Sequence, residues 1–180
     1  MADKPRIYVD SACYIDAAKD SIGLAPPERK ADVWYLKQLM EAHKAKEIVL
    51  FTSVLTVSEC THVGPNSPRN IQELFTRLLT SGQYVTLIQP TVFIAMDGRA
   101  LRWNHAINLS GADSLHVASG LFKNCDEFLT TDEKLGKFAP SITELGMKVL
   151  APSKTNLLPA AYLQGSLLDE KVVHLKKAAK

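Results

Sequence analysis

Residues 111–132 read GADSLHVASGLFKNCDEFLTTD, and two periodicities follow one another within them. Ala112, Leu115, Ala118, Ser119 and Phe122 recur at helical spacing, and Ser110 stands where a capping hydroxyl is wanted. A helix is therefore expected, with Asp113 in its first turn, where a carboxylate interacts well with the helix dipole. Glu127, Phe128, Leu129 and Thr130 then form a short run of the kind a doubly buried strand shows, with Thr131-Asp132 at its C-terminal end. In open α/β sheets, ligands collect at that end of the strands. Capping accounts for Asp113 by itself, whereas Asp132 reads either as the N-cap of a short helix reaching Phe138 or as a group placed for chemistry.

The same alternation extends outward in both directions. Arg6 to Val9 is a β-prone run ending in Asp10, and Ser11, Ala12 and Cys13 allow a helix to start close behind it. Asp10 thus repeats the choice between helix cap and working acid. A loop, SIGLAPP, precedes a helix reaching about Lys46 with Val33, Leu36, Leu39 and Met40 as its apolar stripe. Residues 47–51 form the next strand, and Thr52-Ser53 cap a helical segment over residues 54–63 that carries Glu59. Little other charge surrounds Glu59, so burial beside a metal or a basic partner competes with simple exposure. Ile71, Leu74, Phe75, Leu78 and Leu79 mark another amphipathic helix, and residues 84–88 a third strand. Pro90-Thr91 then opens a helix to about Ala106, in which Arg99, Arg102 and Trp103 suit contact with an RNA backbone or base. The alternative there is a charged solvent face with Trp103 packed inside. Residues 147–150 supply a last strand. Helices alternating with about five strands indicate an α/β three-layer sandwich with a mainly parallel sheet over residues 1–150. Residues 151–180 read as a partly helical C-terminal extension, with Leu168, Val172 and Leu175 as its stripe.

A chain of 180 residues suits one domain, and 46% hydrophobic with 22% charged residues is the composition of a soluble globular protein. No apolar run approaches the roughly 20 residues that span a bilayer, so no membrane role is expected. The beginning, MADKPRIYVD, lacks the regions of a signal peptide, and a cytoplasmic location is expected. Cys13, Cys60 and Cys125 are odd in number and set in apolar surroundings, which suits buried reduced thiols. A formal charge of +2 neither requires nor opposes nucleic-acid binding.

Asp10 and Asp132 stand at strand ends, Asp113 at a helix start and Glu59 in the helix after the second strand, places that a parallel sheet brings to one edge. Carboxylates converging there would raise one another's proton affinity unless a divalent cation neutralised them. Oxygen-only donors favour Mg²⁺ or Mn²⁺, and such ions suit phosphodiester hydrolysis. His116, one turn after Asp113, offers either a mixed Asp-His metal site or a hydrogen bond within the helix layer. A haloacid-dehalogenase-like phosphotransfer site would need a second Asp two residues beyond Asp10, and Ala12 is there.

Four pieces, YVDSA around Asp10, TVSEC around Glu59, GADSLHVASGL around Asp113 and FLTTDEKL around Asp132, resemble the PIN-domain ribonucleases in the right order across about residues 6–150. The likeness is closest to the VapC-like toxins of type II toxin-antitoxin systems, although the C-terminal tail is longer than in most toxin members. The resemblance implies a PIN-like fold and RNA as substrate. It implies that Asp10, Glu59, Asp113 and Asp132 form the metal-binding catalytic set for Mg²⁺ or Mn²⁺, with Glu59 helping to position the metal or its water. Ser11 and Thr130 or Thr131 become supporting hydroxyls. It further implies a homodimer and an antitoxin protein whose helix lies between the Val33 to Lys44 helix and the Leu55 to Val63 segment. The alternative is a catalytically inert PIN-like module that binds RNA or protein. Four mutually repelling carboxylates argue for the enzyme.

Overall fold

The computed structural model describes residues 4–64 and 67–163. Its centre is β1 (Arg6–Val9), whose Ile7, Tyr8 and Val9 are wholly buried. Strands β2 (Val49–Ser53) and β3 (Thr86–Ile88) extend the sheet on one side of it, and β4 (Glu127–Leu129) and β5 (Lys148–Leu150) on the other, giving the order β3-β2-β1-β4-β5. All pairs are parallel, with Tyr8 opposite Phe51 and Phe128. The Tyr8 and Phe128 rings stack at 5.0 Å.

Parallel strands need long crossovers, and here these are helices on both faces. Helices α1 (Ser11–Ser21), α2 (Lys30–Lys44) and α4 (Arg69–Thr80) cover one face, burying Tyr14, Leu36, Leu39, Ile71 and Phe75 with Ile7, Val9 and Leu50. The short α3 (Val54–Glu59) follows β2 directly. On the other face α5 (Val92–His105), α6 (Gly111–Phe122), α7 (Glu133–Gly136) and α8 (Ala139–Glu144) bury Ile94, Leu101, Val117, Leu135 and Ile142 against Tyr8 and Phe128. The result is a three-layer α/β sandwich around a five-stranded parallel sheet. After β3 the chain returns to add β4 on the far side of β1, so the connections leaving β1 and β4 diverge to opposite faces. A crevice opens between them at the C-terminal edge, where such sheets place their sites.

Three local expectations are corrected. The helix bearing Glu59 stops there rather than at Val63, because Cys60 turns inward and is 4% exposed in the first core. Strand β2 runs later than expected, since Ser53 both ends the strand and caps α3, accepting from the Leu55 N–H at 3.2 Å. Helix α6 buries His116, Val117, Ala118, Ser119 and Gly120, while Phe122 of the expected stripe is 49% exposed. Gly120 explains the rotation: a Cβ there would stand 2.8 Å from Met147 Sδ, so the glycine lets the helix settle onto the sheet.

Residues 151–163 fold back on the same layers. Ser153 N–H donates to Asp32 at 3.0 Å, the Thr155 hydroxyl donates to Glu127, Leu158 is buried, and the Tyr162 hydroxyl donates to Glu47 at 3.0 Å. The helix expected around Leu168, Val172 and Leu175 lies outside the described residues. Cys13, Cys60 and Cys125 are free and buried. Among the described residues no helix is long and apolar enough to cross a membrane.

Candidate functional site

Asp10 continues the β1 ladder by one bond, its N–H donating to Leu129 O at 2.9 Å, and then caps α1. Its Oδ1 accepts from the Ser11 N–H at 2.8 Å and its Oδ2 from the Thr130 hydroxyl at 2.7 Å. Burial pushes the pKa of this carboxyl up and Glu59 adds to the rise, while His116 and the two hydrogen bonds oppose it. Asp10 is therefore a carboxylate held in place at an electrostatic cost.

The loop after β4 supplies the other side of the crevice. The Thr130 hydroxyl also accepts the Asp132 N–H at 3.0 Å, so one side chain ties Asp10 to the start of α7. Asp132 is half-buried and caps α7, its Oδ1 accepting from Lys134 N–H at 2.7 Å, which gives it the capping role weighed from the sequence. Of the two candidate hydroxyls, Thr131 turns away: it donates to Asp16 at 2.7 Å. The Thr131 carbonyl accepts from Arg29 at 2.9 Å, and the same guanidinium lies 3.8 Å from Asp16 and 3.9 Å from Asp32. Buried Asp16 and Asp32, with Arg29 between them, thus anchor the loop from below.

Glu59, at the end of α3, meets His116 of α6, Oε2 to Nε2 at 2.9 Å. His116 is 1% exposed, and its Nδ1 lies 2.7 Å from the Tyr8 hydroxyl. A carboxylate only accepts, so Nε2 carries the proton to Glu59 and Nδ1 accepts from Tyr8. Burial pushes the Tyr8 pKa well up, which keeps that hydroxyl a donor. The hydrogen bond from His116 holds the Glu59 pKa down against burial, and the Ser11 hydroxyl adds to the effect. Ser11 therefore serves both acids. With both ring nitrogens engaged, His116 orients Glu59 and presents no free ligand atom.

Asp113 is half-buried in the first turn of α6, one turn before His116, its Oδ2 accepting from the Ser110 hydroxyl at 2.7 Å. A helix returning toward the start of β4 begins at the C-terminal edge, so Asp113 stands at the same edge as Asp10 and Asp132. Asp10 and Glu59 are close enough to influence one another's charge, whereas Asp113 and Asp132 are each hydrogen-bonded locally. Among the described residues no group of three or more His, Cys, Asp or Glu side chains is placed to hold a metal ion.

Beside Asp113, a groove of about 360 Å³ runs between α5 and α6, lined by Arg99, Arg102, Trp103, Gly111 and Ser114 among others. Trp103 is 73% exposed rather than packed inside, and the Arg99 guanidinium lies 5.1 Å from its ring centroid. Val92, Phe93 and Met96 continue an exposed apolar stripe along α5. The groove on α3 is walled by α4, with Val57, Cys60, Phe75 and Leu79 lining about 240 Å³, while α2 packs on α1. Tyr8, Asp16 and Arg29 escaped the sequence reading. Only Tyr8 left a signal: a tyrosine inside an otherwise aliphatic strand needs a partner for its hydroxyl.

The fold and this edge define a parallel α/β protein in which Thr130 links Asp10 to the Asp132 backbone at the reversal of strand order. No family model matches the sequence, and no curated protein matches it significantly. Among solved structures the chain is similar to a crystal structure of FitAcB from Neisseria gonorrhoeae, at 18% sequence identity, covering 83% of this chain and 99% of that chain with a TM-score of 0.49.

Proposed function

We propose that this protein is a divalent-metal-dependent ribonuclease of the PIN-like kind that hydrolyses RNA phosphodiester bonds. The observation that carries the reading is the pairing of Asp10 with Thr130 across the crevice, with Glu59 held alongside by His116. A buried carboxylate kept in place at an electrostatic cost is a common mark of working chemistry. Asp10, Glu59, Asp113 and Asp132 offer oxygen donors alone, a set that fits Mg²⁺ or Mn²⁺, and these four would hold the ion. The ion, when bound, would neutralise phosphate charge and activate water. Thr130 and Ser11 orient Asp10, His116 orients Glu59, and Arg29 with Asp16 steadies the loop bearing Thr130 and Asp132. Arg99, Arg102 and Trp103 would receive the RNA, by charge and by stacking.

RNA cleavage measured with Mg²⁺, with Mn²⁺ and with EDTA, beside Asp113→Asn, tests this. Cleavage lost both in EDTA and in the variant is expected, and cleavage that survives both would overturn the proposal. The absence of a three-ligand group among the described residues favours a second reading, a catalytically inert module that binds RNA or protein. That module would bind RNA equally with and without EDTA and leave it intact. On the toxin reading, the protein acts in the cytoplasm as a homodimer and is silenced by an antitoxin protein. Expression of the wild type alone should then arrest growth, while Asp113→Asn should not.

A further inference from the structure

Beneath Glu59 lies a set of buried hydroxyls and one imidazole that apolar packing alone does not require. Tyr8 of β1, Thr52 of β2, Thr56 of α3 and His116 of α6 are each at most 1% exposed. Burying a polar group costs free energy unless it is paired, and Tyr14, on the opposite face of the sheet, shows a tyrosine placed for packing: among the described residues its buried hydroxyl has no partner. Tyr8 is different. Its hydroxyl stands 2.7 Å from His116 Nδ1, and His116 Nε2 stands 2.9 Å from Glu59 Oε2. Because a carboxylate only accepts, every proton in this chain points outward, from the central strand to the one member that reaches solvent, Glu59, with 31% of its side chain exposed. The helix carrying Glu59 is held as well. The Thr52 hydroxyl donates to Val9 O at 2.7 Å, so the Thr56 hydroxyl, 2.7 Å away, donates to Thr52 and ties α3 to the sheet one turn before Glu59. What freedom remains to Glu59 is that of its side chain, and His116 limits it together with the Ser11 hydroxyl.

We propose that Tyr8 is a positioning residue for Glu59, acting through His116. A ring nitrogen that accepts from a fixed hydroxyl holds both the tautomer and the orientation of the imidazole, and partners one step removed from a metal-binding group commonly set its affinity. Without the hydroxyl, Nδ1 is left in the core with no donor, and nothing on that side holds the ring to one of its two orientations. The stack of Tyr8 on Phe128 needs the aromatic ring alone, so Tyr8→Phe separates packing from positioning. The effect on a bound ion rests on the ribonuclease reading, whereas the effect on His116 and Glu59 does not.

Nuclear magnetic resonance of the full chain in EDTA reads the ring nitrogens of His116, identified by their loss in His116→Gln, and the carboxyl carbon of Glu59. The wild type should show one tautomer, protonated at Nε2, and Tyr8→Phe should move the Glu59 signal as well as that of Nδ1. Titration with Mn²⁺ should show binding weakened about tenfold by Tyr8→Phe, with no further loss when the same substitution is made in His116→Ala. RNA cleavage should lose turnover while KM stays the same. A Glu59 signal or an Mn²⁺ affinity unmoved by Tyr8→Phe would overturn the proposal, as would an equal loss of Mn²⁺ binding in both backgrounds. His116→Gln decides the matter if Tyr8→Phe disturbs the fold. Its amide can accept from Tyr8 and donate to Glu59, so it should bind Mn²⁺ more tightly than His116→Ala, and equal binding would count against Tyr8. A wild type that binds no Mn²⁺ would remove the ribonuclease reading and leave the Glu59 signal to decide the role of Tyr8.

Discussion

Asp10 is 5% exposed, and the Ser11 N–H and Thr130 hydroxyl do not fully replace the water it gave up, so its pKa is raised from 3.8. The folded state then holds this proton more tightly than the unfolded chain does. Its contribution falls as pH rises from 3.8 through the folded value, and the full penalty persists at neutral pH. Asp10→Asn removes the charge at nearly constant volume. Its thermal midpoint at neutral pH should therefore equal or exceed the wild type's, while RNA cleavage should fall by at least about a hundredfold. A lower midpoint would show that the charge stabilises the fold. Glu59 has the opposite sign: its pKa is lowered from 4.5 by His116, so its contribution is present above 4.5 and is lost as pH falls through the folded value. His116→Ala strands the buried Tyr8 hydroxyl as well, which should cost about 1–3 kcal/mol in urea unfolding. In the Tyr8→Phe background, where that hydroxyl is gone, the same substitution should cost measurably less.

At the scale of elements, the approach of α5 to α6 depends on Gly98, whose added Cβ would lie 3.2 Å from the Ser114 backbone O. Gly98→Val should cost about 1–3 kcal/mol by overpacking, read by urea unfolding, and should weaken RNA binding by displacing Arg102 and Trp103. An unchanged unfolding midpoint would mean that the two helices separate freely. The helices were legible in the chain because capping and periodicity act within a few residues: Ser110 before α6 and Thr91 before α5 are both caps. The end of α3 was not, because Cys60 leaves the helix for a core that the local sequence does not describe.

For the whole molecule, burial of all three cysteines pushes the Cys60 and Cys125 thiols up to about 12 and Cys13 well above its ordinary value. Thiolate is the reactive form, so iodoacetamide near pH 8 should modify none of them in the native protein and all three after unfolding. A reducing agent should leave the thermal midpoint unchanged. Modification of the native protein would reveal an opening of one of the two cores. The sequence alone determined the alternation of strand and helix and the four acids at its punctuation points, since apolar period and capping chemistry are properties of neighbours. It carried the parallel sheet with them, because helical crossovers permit little else. Packing of the folded chain decided the rest: that Thr130 rather than Thr131 reaches Asp10, that His116 is taken by Glu59 and Tyr8, and that Arg29 anchors the loop. Thr131 and Asp16 are 115 positions apart and His116 and Tyr8 are 108. Such partners are chosen by strand order and helix rotation, which depend on the whole packed core and leave no trace in any short stretch of chain.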